Sequence, residues 1–218
     1  KVTSVDETGV HFIADGKEHT VPAEKVLCAA GRTPNIKDAG LEKADVAFGQ
    51  SGIGVDNRMR TNIPGIYAIG DVTGKSLLAH SASRMGEVAV HTICGEKDQM
   101  CYDAVPWVVY SNPEVAGAGL TETAASLQGI DVQTAVFPMR ANGRFFAEHG
   151  NERGVCKVIL DKKTDEIRGI FMVGGVCSEI IFGAAALIDN KIKIDGIKKM
   201  IFPHPTVSET IKDTVMAL

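Results

Sequence analysis

Apolar and polar side chains alternate through KVTSV, GVHFIA and HTVPA in residues 1–23, the period of two that marks half-buried strands. Asp15-Gly16 separates the second segment from the third, and this dipeptide favours the left-handed backbone of a tight hairpin turn. Two or three strands joined by turns are therefore expected. Residues 26–30 are apolar throughout, which predicts a strand buried on both faces and stopped by Gly31. Residues 35–60 are Gly-rich and mixed in polarity, so they predict loop with a short helical turn. A second apolar run over 65–71, GIYAIGD, predicts another buried strand.

From 78 to 95 the period becomes helical: Ala79, Ala82, Met85, Val88, Ala89 and Ile93 share one broad face, and Gly95 stands where a C-cap requires positive φ. A new series begins after Pro106. It predicts a strand at WVVYS, a helix over 120–127, and strands at VCKVILD and EIRGIFMVG around a charged turn at 162–165. A long apolar helix over 178–189, a short one over 194–200 and a terminal helix starting at Pro205 or Thr206 follow. The change of pattern places a domain boundary near residue 104. The fold class is α/β segments followed by an α+β domain with a mainly antiparallel sheet.

Composition narrows the function. The 218 residues are 44% hydrophobic and 23% charged, enough to bury one large core or two modest ones. Lys and Arg number 23 against 27 Asp and Glu, interspersed, for a net charge of -4, which argues against nucleic acid as a partner. No apolar stretch approaches the roughly 20 residues that span a bilayer, and the opening residues do not resemble a signal peptide. Five cysteines at irregular spacing, without CxxC or a neighbouring His cluster, read as reduced thiols packed as small buried residues, and imply no metal.

Three strings carry candidate chemistry. In TNIPGIYAIGD, Asp71 follows an apolar run, where a carboxylate either accepts hydrogen bonds from the hydroxyls of a ligand or merely starts a turn. Gly70 permits close backbone approach, and the helix beginning near Leu78, Ala79 and His80 presents free N–H groups. In AAGRTPN, Gly31 allows two segments to pass closely, while Arg32 is either a ligand contact or a tether. In HPTVSE, a carboxylate at Glu209 bonded to the imidazole of His204 would fix its tautomer and raise its basicity near neutral pH. Thr206 and Glu209 also fit the T-x-x-E capping box, so helix initiation alone accounts for the glutamate.

TNIPGIYAIGD followed by LLAHSASRMG resembles the second flavin-binding signature of the pyridine-nucleotide disulfide oxidoreductases, and HPTVSE resembles the active-site element of the dihydrolipoamide dehydrogenases within that family. The resemblance implies that Asp71 holds the ribityl or phosphate end of FAD and that Leu78, Ala79 and His80 offer main-chain N–H groups to the flavin. It makes His204 and Glu209 the acid/base dyad for dithiol–disulfide exchange, with a cis bond before Pro205. It further implies a homodimer, NAD as electron acceptor, and the lipoyl domain of a 2-oxo acid dehydrogenase complex as partner, in the cytoplasm or mitochondrial matrix.

On this basis residues 1–34 are expected to be the tail of a nicotinamide-binding domain. Residues 35–103 would be a returning segment of the FAD-binding domain, and 104–218 the interface domain. The family's GxGxxG and CxxxxC motifs do not occur in these residues, which implies the C-terminal part of a longer flavoprotein, inactive alone and retaining little or no FAD. The competing expectations are a glutathione- or mercuric-reductase-like parent, or a dimeric interaction module without chemistry.

Overall fold

The computed structural model describes residues 1–218. Its first element is an antiparallel meander of β1 (Val2–Asp6), β2 (Gly9–Ala14) and β3 (Lys17–Val21), in the order β1-β2-β3. Asp15 and Gly16 both take positive φ, 51° and 72°, which matches the right-handed twist of the strands they join. At Gly9 a Cβ would lie 2.1 Å from the Val21 carbonyl oxygen, so only glycine lets β2 begin against the end of β3.

The loop from β1 to β2 is closed by Asp6. Its carboxylate accepts from the Thr8 hydroxyl at 2.6 Å, the Thr8 N–H at 2.8 Å and His11 Nε2 at 3.0 Å, while His11 Nδ1 meets the Thr20 hydroxyl at 2.8 Å. The Thr8 hydroxyl first, and His11 second, lower the Asp6 pKa from 3.8 to about 2. A carboxyl depressed on folding stabilises the fold above its unfolded pKa and ceases to do so as pH falls through its folded one. Protection of the β1–β2 turn amides, relative to the unstructured rate at each pH, is therefore expected to fall between pH 3.8 and about 2. The Asp6→Asn variant should lack this acid step; an unchanged profile would show that the carboxylate contributes nothing.

The two buried strands expected at 26–30 and 65–71 do not form. Val26 and Leu27 are 49% and 89% exposed, and 65–71 makes only an isolated bridge between Tyr67 and Arg60. A strand buried on both faces needs pairing neighbours at its edges, and neither run pairs with a strand of any sheet. Gly70–Thr73 instead closes into a 3-10 turn. The expected helical turn at 35–60 is a 3-10 turn at Leu41–Ala44, followed by a small hairpin of β4 (Phe48–Gly49) and β5 (Gly52–Ile53).

Helix α1 (Ala79–Ile93) buries Ser81, Met85, Val88 and Ala89, and packs Met85, Val88 and Ala89 with Met59 and Met100. Its apolar stripe is narrower than expected: Ala79 and Ile93 face out. Gly95, at φ 82°, follows the C-cap Cys94.

The remaining elements are β6 (Trp107–Val109), β7 (Val115–Gly119), α2 (Glu122–Leu127), β8 (Val132–Pro138), α3 (Gly143–His149), β9 (Val155–Asp161), β10 (Ile167–Val173), α4 (Cys177–Asp189), α5 (Ile194–Lys199) and α6 (Glu209–Met216). The strands form one antiparallel sheet in the order β6-β7-β10-β9-β8. Helix α4 packs on β7 and β10, and α6 on β8 and β9. Between them lies a continuous core that includes Phe145, Ile170, Met172, Ile181, Ile211 and Val215.

Three of these elements carry little local signal: β7, β8 and α3. In β7 the residues are small because Gly117 sits beneath aromatic rings. A Cβ there would meet Phe171 at 2.5 Å and Trp107 at 2.6 Å, so the glycine makes room for two rings whose centroids are 6.3 Å apart. Only two of the five cysteines pack as buried residues. Cys156 and Cys177 lie in the core, where burial pushes both thiols up to about 12, whereas Cys28, Cys94 and Cys101 are exposed. No helix is long and apolar enough to cross a membrane.

Candidate active site

The loop between α5 and α6 carries HPTVSE, and its local chemistry delays the last helix. Helix α6 begins at Glu209 rather than at Pro205 or Thr206. The His204-Pro205 peptide is cis. The Thr206 hydroxyl donates to the Pro203 carbonyl at 2.7 Å instead of capping the helix, while the Thr206 N–H donates to Glu209 Oε2 at 3.0 Å. Only the glutamate half of the capping box forms.

The same carboxylate also holds the imidazole. His204 Nδ1 lies 3.0 Å from Glu209 Oε1 and 3.2 Å from Oε2. Cap and dyad, alternatives in the amino-acid pattern, coexist because each uses a different lone pair of one carboxylate. The Thr206 N–H first, and His204 second, lower the Glu209 pKa, so Glu209 stays ionised and accepts. With Nδ1–H directed at it, the neutral ring keeps its basic lone pair on Nε2. The His204 side chain is 81% exposed and that of Glu209 24%, so the carboxylate is half-sheltered while the imidazole reaches solvent.

Two contacts suspend the loop. Lys212 Nζ donates to the Met200 carbonyl at 2.6 Å and stands 5.9 Å from the Phe202 ring centre. Asn142 Nδ2 donates to the Thr206 carbonyl at 3.0 Å. Neither residue belongs to a motif. Asn142 precedes a helix as an N-cap does, which is its only local signal.

A second grouping surrounds the start of α1. The Gly70–Thr73 turn packs on this helix, with the Gly70 N–H 3.1 Å from Met85 Sδ and a Cβ position 3.3 Å from Ala82 Cβ. Asp71 is exposed at the head of the turn, and Leu78 is the N-cap, with no side-chain cap bond. The first-turn N–H groups of a helix have no intrahelical acceptor, so those at Leu78, Ala79 and His80 remain available. The His80 imidazole itself is engaged: Nε2 bonds the Pro106 carbonyl at 2.7 Å.

Gly31 joins neither grouping. Nothing in these residues lies within 4 Å of the position its Cβ would take, and its φ of 107° favours glycine. No group of three or more His, Cys, Asp or Glu side chains is arranged to hold a metal ion.

The family model for the dimerisation domain of the pyridine nucleotide-disulphide oxidoreductases matches residues 105–215, and a second model for pyridine nucleotide-disulphide oxidoreductases matches residues 1–86. The chain belongs to this family.

Within it, the chain is similar to dihydrolipoyl dehydrogenases. It is 36% identical over 205 residues to that of Cupriavidus necator, covering 94% of the chain and 43% of the relative. With that of Rhizobium etli it shares 39% over 223 residues, covering 99% and 46%. Among solved structures, LpdA from Mycobacterium tuberculosis superposes with a TM-score of 0.88 at 27% identity, over 100% of this chain and 48% of that one. The HOCl-induced flavoprotein disulfide reductase RclA from Escherichia coli gives 0.81 at 26%, over 97% and 49%. The chain thus spans about half the length of the relatives it matches.

Proposed function

We propose that this chain forms the C-terminal part of a homodimeric flavoprotein that oxidises dihydrolipoyl groups with NAD through FAD and a redox disulfide. The observation that carries the reading is the bond from His204 Nδ1 to Glu209 on an imidazole that is 81% exposed. A dithiol attacks a disulfide only as thiolate. His204 Nε2 takes the proton from the substrate thiol; the thiolate then forms a bond to one sulfur of the disulfide and displaces the other as thiolate. Glu209 stabilises the imidazolium that results. The attacked sulfurs come from outside these 218 residues, and an outward-facing ring suits a site completed by a second polypeptide and a substrate carried on a lipoyl domain.

The residues around α1 fit FAD: Asp71 is exposed, the first-turn N–H groups of the helix are unpaired, and Gly70 lets the turn that carries Asp71 pack on α1. When bound there, FAD would supply an acceptor for the electron pair that links dithiol oxidation to the nicotinamide. The chain's own part is to bind it, with Asp71 accepting from its hydroxyls and the Leu78–His80 main chain donating to its ring. Segments 1–34, 35–103 and 104–218 would serve as nicotinamide-domain tail, flavin-domain return and interface domain. The buried, unpaired Cys156 and Cys177 suit a compartment that keeps thiols reduced, the cytoplasm or the mitochondrial matrix.

The test compares substrates in the flavin-loaded enzyme. Dihydrolipoamide should reduce NAD, and glutathione disulfide should not oxidise NADPH; the reverse pattern rejects the lipoyl assignment. The chain itself is expected to be dimeric by light scattering at micromolar concentration, since Val136, Phe146 and Phe182 are 56%, 54% and 75% exposed. A monomer counts against it.

A further inference from the structure

The bond from Asn142 to Thr206 reaches the acid/base loop from a part of the chain 64 residues away. Asn142 is 5% exposed at the junction of β8 and α3. Its Oδ1 accepts the Phe145 N–H at 2.9 Å, and its Nδ2 donates to the Thr206 carbonyl at 3.0 Å. A donor on one side and an acceptor on the other fix the orientation of the amide, because flipping it would set N–H against N–H and oxygen against oxygen. The Thr206 residue is thereby held at both ends: its carbonyl by Asn142 and its N–H, at 3.0 Å, by Glu209.

We propose that Asn142 is a positioning residue for His204, fixing Thr206 at the height where one Glu209 carboxylate can meet both the Thr206 N–H and the imidazole. The proposal rests on the acid/base reading of His204. Without the clamp, residues 203–206 are free to shift, and Glu209 keeps either its bond to Thr206 or its bond to Nδ1. A displacement of about 1 Å can cost roughly a hundredfold in rate.

Capping does not account for the arrangement. A helix N-cap needs only an acceptor, which Ser, Thr or Asp supplies as well as Asn. The donor to Thr206 is surplus to that task and specific to the carboxamide. The two roles therefore separate by substitution. Asn142→Ser keeps an acceptor for Phe145 but is too short to reach Thr206. Asn142→Asp keeps length and acceptor but turns an oxygen towards the Thr206 carbonyl.

The experiment reads the ring nitrogens of His204 by 15N NMR in the labelled chain, together with the melting temperature. The Asn142→Ser variant is expected to melt within about 2 °C of the parent, while His204 moves from the Nδ1–H tautomer towards the Nε2–H form favoured by free imidazole. Asn142→Asp should show the same shift, and it provides the reading if the serine variant proves unstable. In the flavin-loaded enzyme kcat should fall by about tenfold or more, with KM unchanged. A parent-like tautomer in both variants, or a shifted tautomer with unchanged kcat, overturns the proposal. The acid/base reading fails separately, if His204→Gln leaves turnover intact.

Discussion

Replacing His204 by glutamine in the flavin-loaded enzyme is expected to lower dihydrolipoamide turnover by about two to four orders of magnitude, the usual contribution of a positioned acid/base group. Glutamine is close in size and donates and accepts hydrogen bonds, but it cannot carry a proton between sulfur and solvent near pH 7. FAD content should not change, because the groups that fit the flavin lie at the start of α1 and the Gly70–Thr73 turn. Stability should change little, since His204 is 81% exposed and its removal leaves Glu209 still bonded to the Thr206 N–H. Raising the pH should restore part of the lost rate, because more of the dithiol ionises without a base. Unchanged turnover with retained FAD would remove His204 from the chemistry.

The legible parts of the sequence are those whose signal is local. The stripe Met85, Val88, Ala89 places α1 because residues three and four apart share a face wherever the helix sits. The contact of His204 with Glu209, five positions on, needs only a turn, but T-x-x-E fits a cap as well, so it is the resemblance that singles the pair out. The strand at 115–119 is not legible: Ala116, Gly117 and Ala118 are small, and what makes them strand is pairing with β10 and β6 beneath the rings of Phe171 and Trp107.

Residues 26–30 show the opposite error. Their hydrophobicity reports that a strand there would be buried once paired, but says nothing about whether a neighbour exists, and here Leu27 is 89% exposed. Asn142 escapes for the same physical reason. Its contact with Thr206 spans 64 residues, and no periodicity or spacing encodes a pairing that only the folded sheet creates.

That dependence on the sheet makes Phe145→Ala the largest expected loss of stability, about 3–5 kcal/mol. Phe145 is fully buried, and its ring lies 3.0 Å from the Cβ positions of both Gly154 and Gly174, which are glycine to admit it. The His149 ring, tilted by 32°, lies 4.8 Å away between ring centres on another side. Because the backbone at 154 and 174 belongs to the flanks of β9 and β10, it cannot collapse into the space without disturbing the sheet, so a cavity remains and adds to the lost burial. Urea unfolding should show the fall in midpoint at nearly constant slope. A loss below about 1 kcal/mol would mean that the site relaxes around the deletion.

Phe145 also donates its main-chain N–H to Asn142 Oδ1, a bond that alanine keeps, so deleting the ring reaches the residue that holds Thr206 through the packing of this shared backbone. Combined with Asn142→Ser, the destabilisation should therefore fall short of the sum of the two single losses, whereas sites far apart would add.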